Sequence, residues 1–176
     1  QFAEKIALLK VGNGFNEATD IGPLIDRKAV TKIVELVRDA ISNGAKIILG
    51  GKIDTENEHF YQPTLLVDVN EDMRITKEEI FGPVATIIRF DNEQQVIDMA
   101  NATPYGLAAY FFTSDFARSW RVSEALECGI VGVNEGILTS VQAPFGGIKE
   151  SGMGREGSQY GLDEYLEIKY ICMGNL

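Results

Sequence analysis

With 176 residues, 45% of them apolar, the chain is long enough to bury one core, and no Pro/Ser-rich or charged linker divides it, so one domain is expected. Twenty-six acidic residues against 16 basic ones give a net charge of -10, which argues against a polyphosphate-backbone partner. Two cysteines and one histidine are too few for a disulfide framework or a dedicated zinc site, and no apolar run approaches the roughly 20 residues that span a bilayer. The expectation is a soluble protein of the reducing cytoplasm, without nucleic acid, membrane or metal among its partners. The first residue is Gln and no secretory leader follows it, which suggests a fragment, a processed chain or a trimmed one.

In chain order, Phe2, Ile6 and Leu9 mark a first helix that stops at Gly12 and Gly14. From Asp26, a plausible cap, Val30, Ile33, Val34, Val37, Ala40 and Ile41 recur at helical spacing until Asn43-Gly44 ends the run. K-I-I-L-G at Lys46 reads as a short buried strand, and Y-Q-P-T-L-L-V-D-V at Tyr61 as an extended segment whose Pro63 belongs at an edge or a strand start. The second half alternates: a strand from Val84, a helix from Asn92, a strand from Ala108, a helix from Asp115 to Cys128, and a strand from Gly129 to Val133. Apolar strands separated by amphipathic helices predict an α/β fold with a mostly parallel sheet and helices on both faces. Asn134 and a glycine-rich loop follow the last of these strands, where such sheets gather ligands. A final apolar strand, Tyr165 to Met173, closes the chain and needs a sheet edge to pair with.

Several residues invite a chemical reading, and each has a structural alternative. Gly152, Gly154 and Gly157 match G-x-G-x-x-G, but a dinucleotide fingerprint needs a strand before, a helix after and an acidic residue about 20 positions on. Here a loop precedes and the chain ends at Leu176, so that fingerprint is set aside. Thr76 and Glu79 fit a capping box, although Phe81-Gly82-Pro83 would stop the helix within about a turn. Cys128 lies at the negative end of a helix, the wrong end for a thiolate nucleophile, and Cys172 shares a face with Leu166, Ile168 and Tyr170 and reads as packing. His59, among acidic residues in a polar loop, reads as solvated. Asn134 can tie a turn through its own backbone, Phe145 can be ordinary core, and Thr139 can be a plain loop residue.

G-P-L-I-D at Gly22, E-E-I-F-G-P-V at Glu78, N-A-T-P-Y-G-L-A-A at Asn101, G-I-V-G-V-N at Gly129 and P-F-G-G-I-K-E-S-G-M-G-R-E-G at Pro144 together resemble the C-terminal part of the catalytic domain of NAD(P)-dependent aldehyde dehydrogenases. The ending from Gly154 looks most like the succinate-semialdehyde branch of that family. The resemblance assigns residues 1–163 to the catalytic domain and 164–176 to a C-terminal oligomerisation strand, and it implies a homo-oligomer, a dimer or tetramer. It implies that Glu79 meets the hydroxyls of the nicotinamide ribose, that Phe81 lies against the nicotinamide, and that Asn134 supports the catalytic loop. By the same resemblance Phe145 borders the substrate tunnel, and Thr139, where that branch has Ser, offers a hydroxyl to the distal carboxylate, a role that Ser140 could take over.

In that family a cysteine thiolate attacks the aldehyde, an oxyanion hole receives the developing charge, hydride passes to NAD or NADP, and a Glu activates water to hydrolyse the thioester. The cysteine and the general-base Glu are expected upstream of Gln1, so the resemblance implies no catalytic residue here and an inactive chain when isolated. The function implied for the parent enzyme is oxidation of a small aldehyde, succinate semialdehyde, to the acid. The alternatives are a non-enzymatic assembly or regulatory module of the same fold, and a dehydrogenase for an uncharged aldehyde.

Overall fold

The computed structural model describes residues 1–54 and 57–175, which divide into two compact units, Gln1–Phe90 and Asp91–Leu176. In the first, a short helix α1 (Phe2–Ile6) precedes the long helix α2 (Arg27–Ser42). The Asp26 carboxylate accepts the Ala29 N–H at 2.8 Å and caps α2, and Gly44, at φ +105, follows its end. One face of α2 buries Val30, Ile33, Leu36, Val37 and Ala40. They pack with Tyr61, Leu66, Val69, Met73 and Ile75 into the core of this unit. Removing a buried aliphatic group such as Ile33 or Leu66 costs about 2–5 kcal/mol.

The sheet under α2 has β2 (Thr64–Val67) at its centre, between β1 (Lys46–Leu49) and β3 (Val84–Thr86). Pro63 directly precedes β2, the strand start its missing N–H allows. β1 pairs antiparallel and β3 parallel to β2. β1 is not the buried strand its apolar run suggests: it is an edge strand, with Ile47 and Ile48 exposed. A one-turn helix, α3 (Arg74–Lys77), lies on the return from β2 to β3.

In the second unit, α4 (Glu93–Asn101) and α5 (Phe116–Ala125) are capped by the carbonyl of Asn92 and the carboxylate of Asp115. β5 (Ala108–Phe111) and β6 (Ile130–Val133) pair in parallel across α5, from Ala108 opposite Ile130 to Phe111 opposite Val133. β4 (Tyr105–Gly106) and β7 (Ile148–Lys149) form a short antiparallel pair, and a 3-10 helix covers Tyr160–Tyr165.

Two expectations are corrected. The strands form three small sheets rather than one mostly parallel sheet, with two pairings parallel and two antiparallel among the described residues. An apolar run reports burial and not strand direction, so β1 could not be told from a parallel strand. The final strand does not form either: Leu166 is extended, but nothing from it to Asn175 pairs, and Ile168 and Tyr170 stand in solvent. A strand exists only against another edge, and this segment pairs with none among the described residues.

Candidate functional site

The first candidate site is the loop 78–83 of the first unit. Thr76 does not open a capping box with Glu79: it lies inside α3, and its hydroxyl donates to the Met73 carbonyl at 2.7 Å. The Asp39 carboxylate of α2 receives the first amide of that turn, Arg74 N–H, at 3.3 Å, so a tertiary contact starts the helix earlier than the local pattern suggests. Glu78 then turns extended and is held by Arg74 through two bonds, at 2.7 and 3.3 Å. These hydrogen bonds, with the charges of Arg74 and Lys32, keep the Glu78 carboxyl below the usual range.

Beyond Glu78 the side chains alternate. Ile80 packs against the core, whereas Glu79 and Phe81 point outward. Phe81 takes φ +51 and leaves 79% of its surface exposed. A left-handed phenylalanine costs roughly 1–2 kcal/mol, and it persists because the loop is pinned on both sides. Lys32 of α2 donates to the Glu79 carbonyl at 2.5 Å, and the Pro83 carbonyl accepts the Thr64 amide at 2.8 Å. Between them Gly82 lies so close to α2 that a Cβ there would meet Ile33 Cδ1 at 2.1 Å. The result is a rigid loop that presents one carboxylate and one bare aromatic face, suited to ligand hydroxyls beside a flat ring.

The second candidate site is built at the carboxyl ends of β5 and β6. Asn134, at φ +57, does not close a turn on its own backbone: its amide oxygen accepts Thr113 N–H at 2.8 Å, and its amide nitrogen donates to the Thr113 carbonyl at 2.7 Å. The Asn134 backbone amide donates to the Phe111 carbonyl at 2.9 Å. The following loop carries Thr139, which is exposed and whose hydroxyl has no partner among the described residues. Ser140, by contrast, donates to the Gln142 side-chain oxygen at 2.5 Å.

Phe145 is tied to Glu156 by two backbone bonds, at 2.9 and 2.7 Å, which close the glycine-rich loop into a ring. The base of that ring is tight, since a Cβ on Gly129 would lie 1.9 Å from the Gly146 carbonyl oxygen. Arg155 reaches back to the Gly147 and Gly154 carbonyls at 2.8 and 2.7 Å. Phe145, half-exposed, lines a cavity of about 480 Å³ with Gly147, Arg155, Glu164 and Tyr165. Phe145 is therefore a wall and not core.

Gly152, Gly154 and Gly157 all take positive φ, and a six-residue 3-10 helix follows them in place of the long helix a dinucleotide fingerprint requires. Cys128, three residues past the end of α5, donates its thiol to the Ile130 carbonyl at 3.2 Å. Cys172 stands exposed in the tail and does not pack, a second consequence of the unpaired strand. His59 is exposed. No cluster of metal-ligating side chains occurs among the described residues, and none of their helices is long and apolar enough to cross a membrane. Lys32 and Arg155 escaped the sequence reading, because both act on backbone carbonyls that no side-chain pattern advertises.

A pinned carboxylate-and-aromatic loop in one unit, and a walled glycine loop beyond parallel strands in the other, are the two candidate sites of this α/β chain. The chain belongs to the aldehyde dehydrogenase family, whose sequence profile matches residues 1–171. Within that family it is similar to the mitochondrial succinate-semialdehyde dehydrogenases of Oryza sativa subsp. japonica, at 57% identity over 175 residues, and of Homo sapiens, at 56% over 168 residues. These alignments cover 99% and 96% of this chain but 33% and 31% of the relatives. The crystal structure of succinate-semialdehyde dehydrogenase from Burkholderia pseudomallei matches with a TM-score of 0.94 at 47% identity, over 97% of this chain and 36% of that one. The chain thus spans about a third of the length of the proteins it matches.

Proposed function

We propose that the chain contributes the cofactor-facing loop and one substrate wall to an NAD(P)-dependent aldehyde dehydrogenase that oxidises succinate semialdehyde to succinate. The observation that carries this reading is the 53–57% identity to relatives named succinate-semialdehyde dehydrogenase, sustained over 96% or more of the chain. The outward carboxylate of Glu79 accepts hydrogen bonds from ribose hydroxyls, and the exposed Phe81 ring packs on the nicotinamide, which when bound supplies the hydride acceptor. An NAD complex is known for betaine aldehyde dehydrogenase of Staphylococcus aureus, a solved relative at 38% identity. Phe145 borders the path of the aldehyde, Thr139 donates its open hydroxyl to the distal carboxylate, and Asn134 props the loop between them.

The Cys128 thiol is turned onto a backbone carbonyl and Cys172 lies in the tail, so the nucleophile and the water-activating carboxylate come from residues outside these 176. The tail 164–176 pairs with a second subunit in a homo-oligomer. Both cysteines are unpaired, in keeping with a reducing cytoplasm. The test is NAD(P)H fluorescence from the complete protein with succinate semialdehyde and each dinucleotide, beside the isolated 176-residue chain. Turnover by the complete protein alone supports the reading, whereas turnover by the isolated chain, or none by either, overturns it.

A further inference from the structure

Two Asn-Gly pairs stand exposed in the first unit, Asn13-Gly14 between α1 and α2 and Asn43-Gly44 at the end of α2, and their surroundings differ. At Asn43 both groups that could react are occupied. The side-chain amide nitrogen donates to the Asp39 carbonyl at 2.8 Å, and the Gly44 N–H donates to the Ile41 carbonyl at 3.1 Å. At Asn13 the side-chain oxygen accepts the Phe15 N–H at 3.0 Å, while its amide nitrogen and the Gly14 N–H have no partner among the described residues. Asn13, Gly14 and Phe15 are all exposed, and a Cβ on Gly14 would meet nothing within 4 Å. The turn is held in place from its far side. The Thr19 hydroxyl and the Asn16 amide both donate to the Asn13 carbonyl at 2.9 Å, and Val11 bridges Ile21 at the base of the loop.

This arrangement brings a nucleophile and an electrophile together. The bond from Phe15 closes a ring that contains the Gly14 nitrogen, so it keeps the Asn13 carboxamide on the side of the chain where that nitrogen lies. The same N–H already donates to the oxygen on which negative charge grows when the carboxamide is attacked, as a donor of an oxyanion hole does. Glycine adds no side chain to hinder the approach. We propose that Asn13 is a self-modifying site, at which the chain deamidates to aspartyl and isoaspartyl forms as it ages, while the second pair at Asn43 is protected. Hydroxide takes the Gly14 amide proton, the nitrogen bonds to Asn13 Cγ, and the bond from Cγ to Nδ2 breaks. Nδ2 leaves as ammonia with a proton from water, which returns the hydroxide. Water then opens the cyclic imide at either carbonyl. Each event adds one negative charge to the loop, and the isoaspartyl form also lengthens the main chain by a methylene.

The experiment incubates the complete protein in mildly alkaline buffer, native and in urea, and follows the Asn13 and Asn43 peptides by mass spectrometry. Methyl transfer from labelled S-adenosylmethionine by an isoaspartyl methyltransferase reports the isoaspartyl product. In the native protein Asn13 should convert faster than Asn43 by about tenfold or more, the effect of the two hydrogen bonds that must break at Asn43. In urea the two rates should converge. Asn13→Gln should abolish the acidic form that appears with time on isoelectric focusing. Gly14→Ala, which the open space around Gly14 accommodates, should slow conversion at Asn13 several fold. Equal native rates, a faster Asn43, or no conversion at Asn13 in the native protein would overturn the proposal. So would a ratio of rates that urea leaves unchanged, because the sequence and not the fold would then set it.

Discussion

The side chain of Asn134 grips both the N–H and the C=O of Thr113, at 2.8 and 2.7 Å, while its own backbone sits at φ +57. One residue thereby locks the carboxyl ends of β5 and β6 together and turns the chain toward the Thr139 loop.

Two neutral hydrogen bonds contribute about 1–3 kcal/mol together, and alanine at a positive φ costs roughly a further 1 kcal/mol. Asn134→Ala should therefore speed hydrogen exchange at the Thr113 amide by roughly one and a half to three orders of magnitude, about tenfold per 1.4 kcal/mol. Asn134→Gly, which loses the bonds but tolerates the backbone, should fall between alanine and wild type. Equal exchange in Asn134→Ala and wild type would mean that the grip contributes nothing.

Glu93 at the start of α4 is the partner of both Arg118 and Arg121 of α5, each at 2.6 Å. Their hydrogen bonds, Arg121 first, and their charges bring the Glu93 carboxyl from 4.5 down to about 2. A carboxyl depressed in the folded state stabilises fully above its unfolded value and loses that contribution as pH falls. The difference in melting temperature between wild type and Glu93→Gln should be constant above pH 4.5 and shrink from there toward about 2. These groups face solvent, so added salt should shrink it as well. A difference that grew as pH fell would contradict the assignment.

How much of this was legible in the sequence depends on how local each cause is. Helices α2, α4 and α5 were legible because apolar spacing and caps such as Asp26 are written within a few residues. The expected capping box at Thr76 failed because Asp39, 35 positions away, receives the Arg74 amide and moves the helix start. Strand direction at β1 and the separation into small sheets depend on pairing, which apolar runs do not encode. At the sites, a short motif singled out Glu79 and Phe81, whereas the grip of Lys32 on the Glu79 carbonyl left no mark in the sequence. Asn134 grips Thr113, a partner 21 positions away that sequence could not name.

The tail from Leu166 to Met173 keeps alternating apolar residues in solvent, with Leu166 at 66% and Ile168 at 102% exposure. Such a segment gains most by adding to the sheet edge of a second subunit. Deleting the residues after Asp163 from the complete protein should lower its assembly state in light scattering. An unchanged oligomer would refute the role given to the tail.

The measurement that tests the central claim most directly is kcat/KM of the complete protein for succinate semialdehyde and for butanal, in wild type and in Thr139→Val. A hydroxyl donated to a carboxylate is worth about 1.5–3 kcal/mol. The account predicts that wild type prefers succinate semialdehyde, and that Thr139→Val lowers kcat/KM for it by roughly one to two orders of magnitude while butanal loses little. A wild type with no preference for the acid, or a variant in which both substrates fall equally or neither falls, would contradict it.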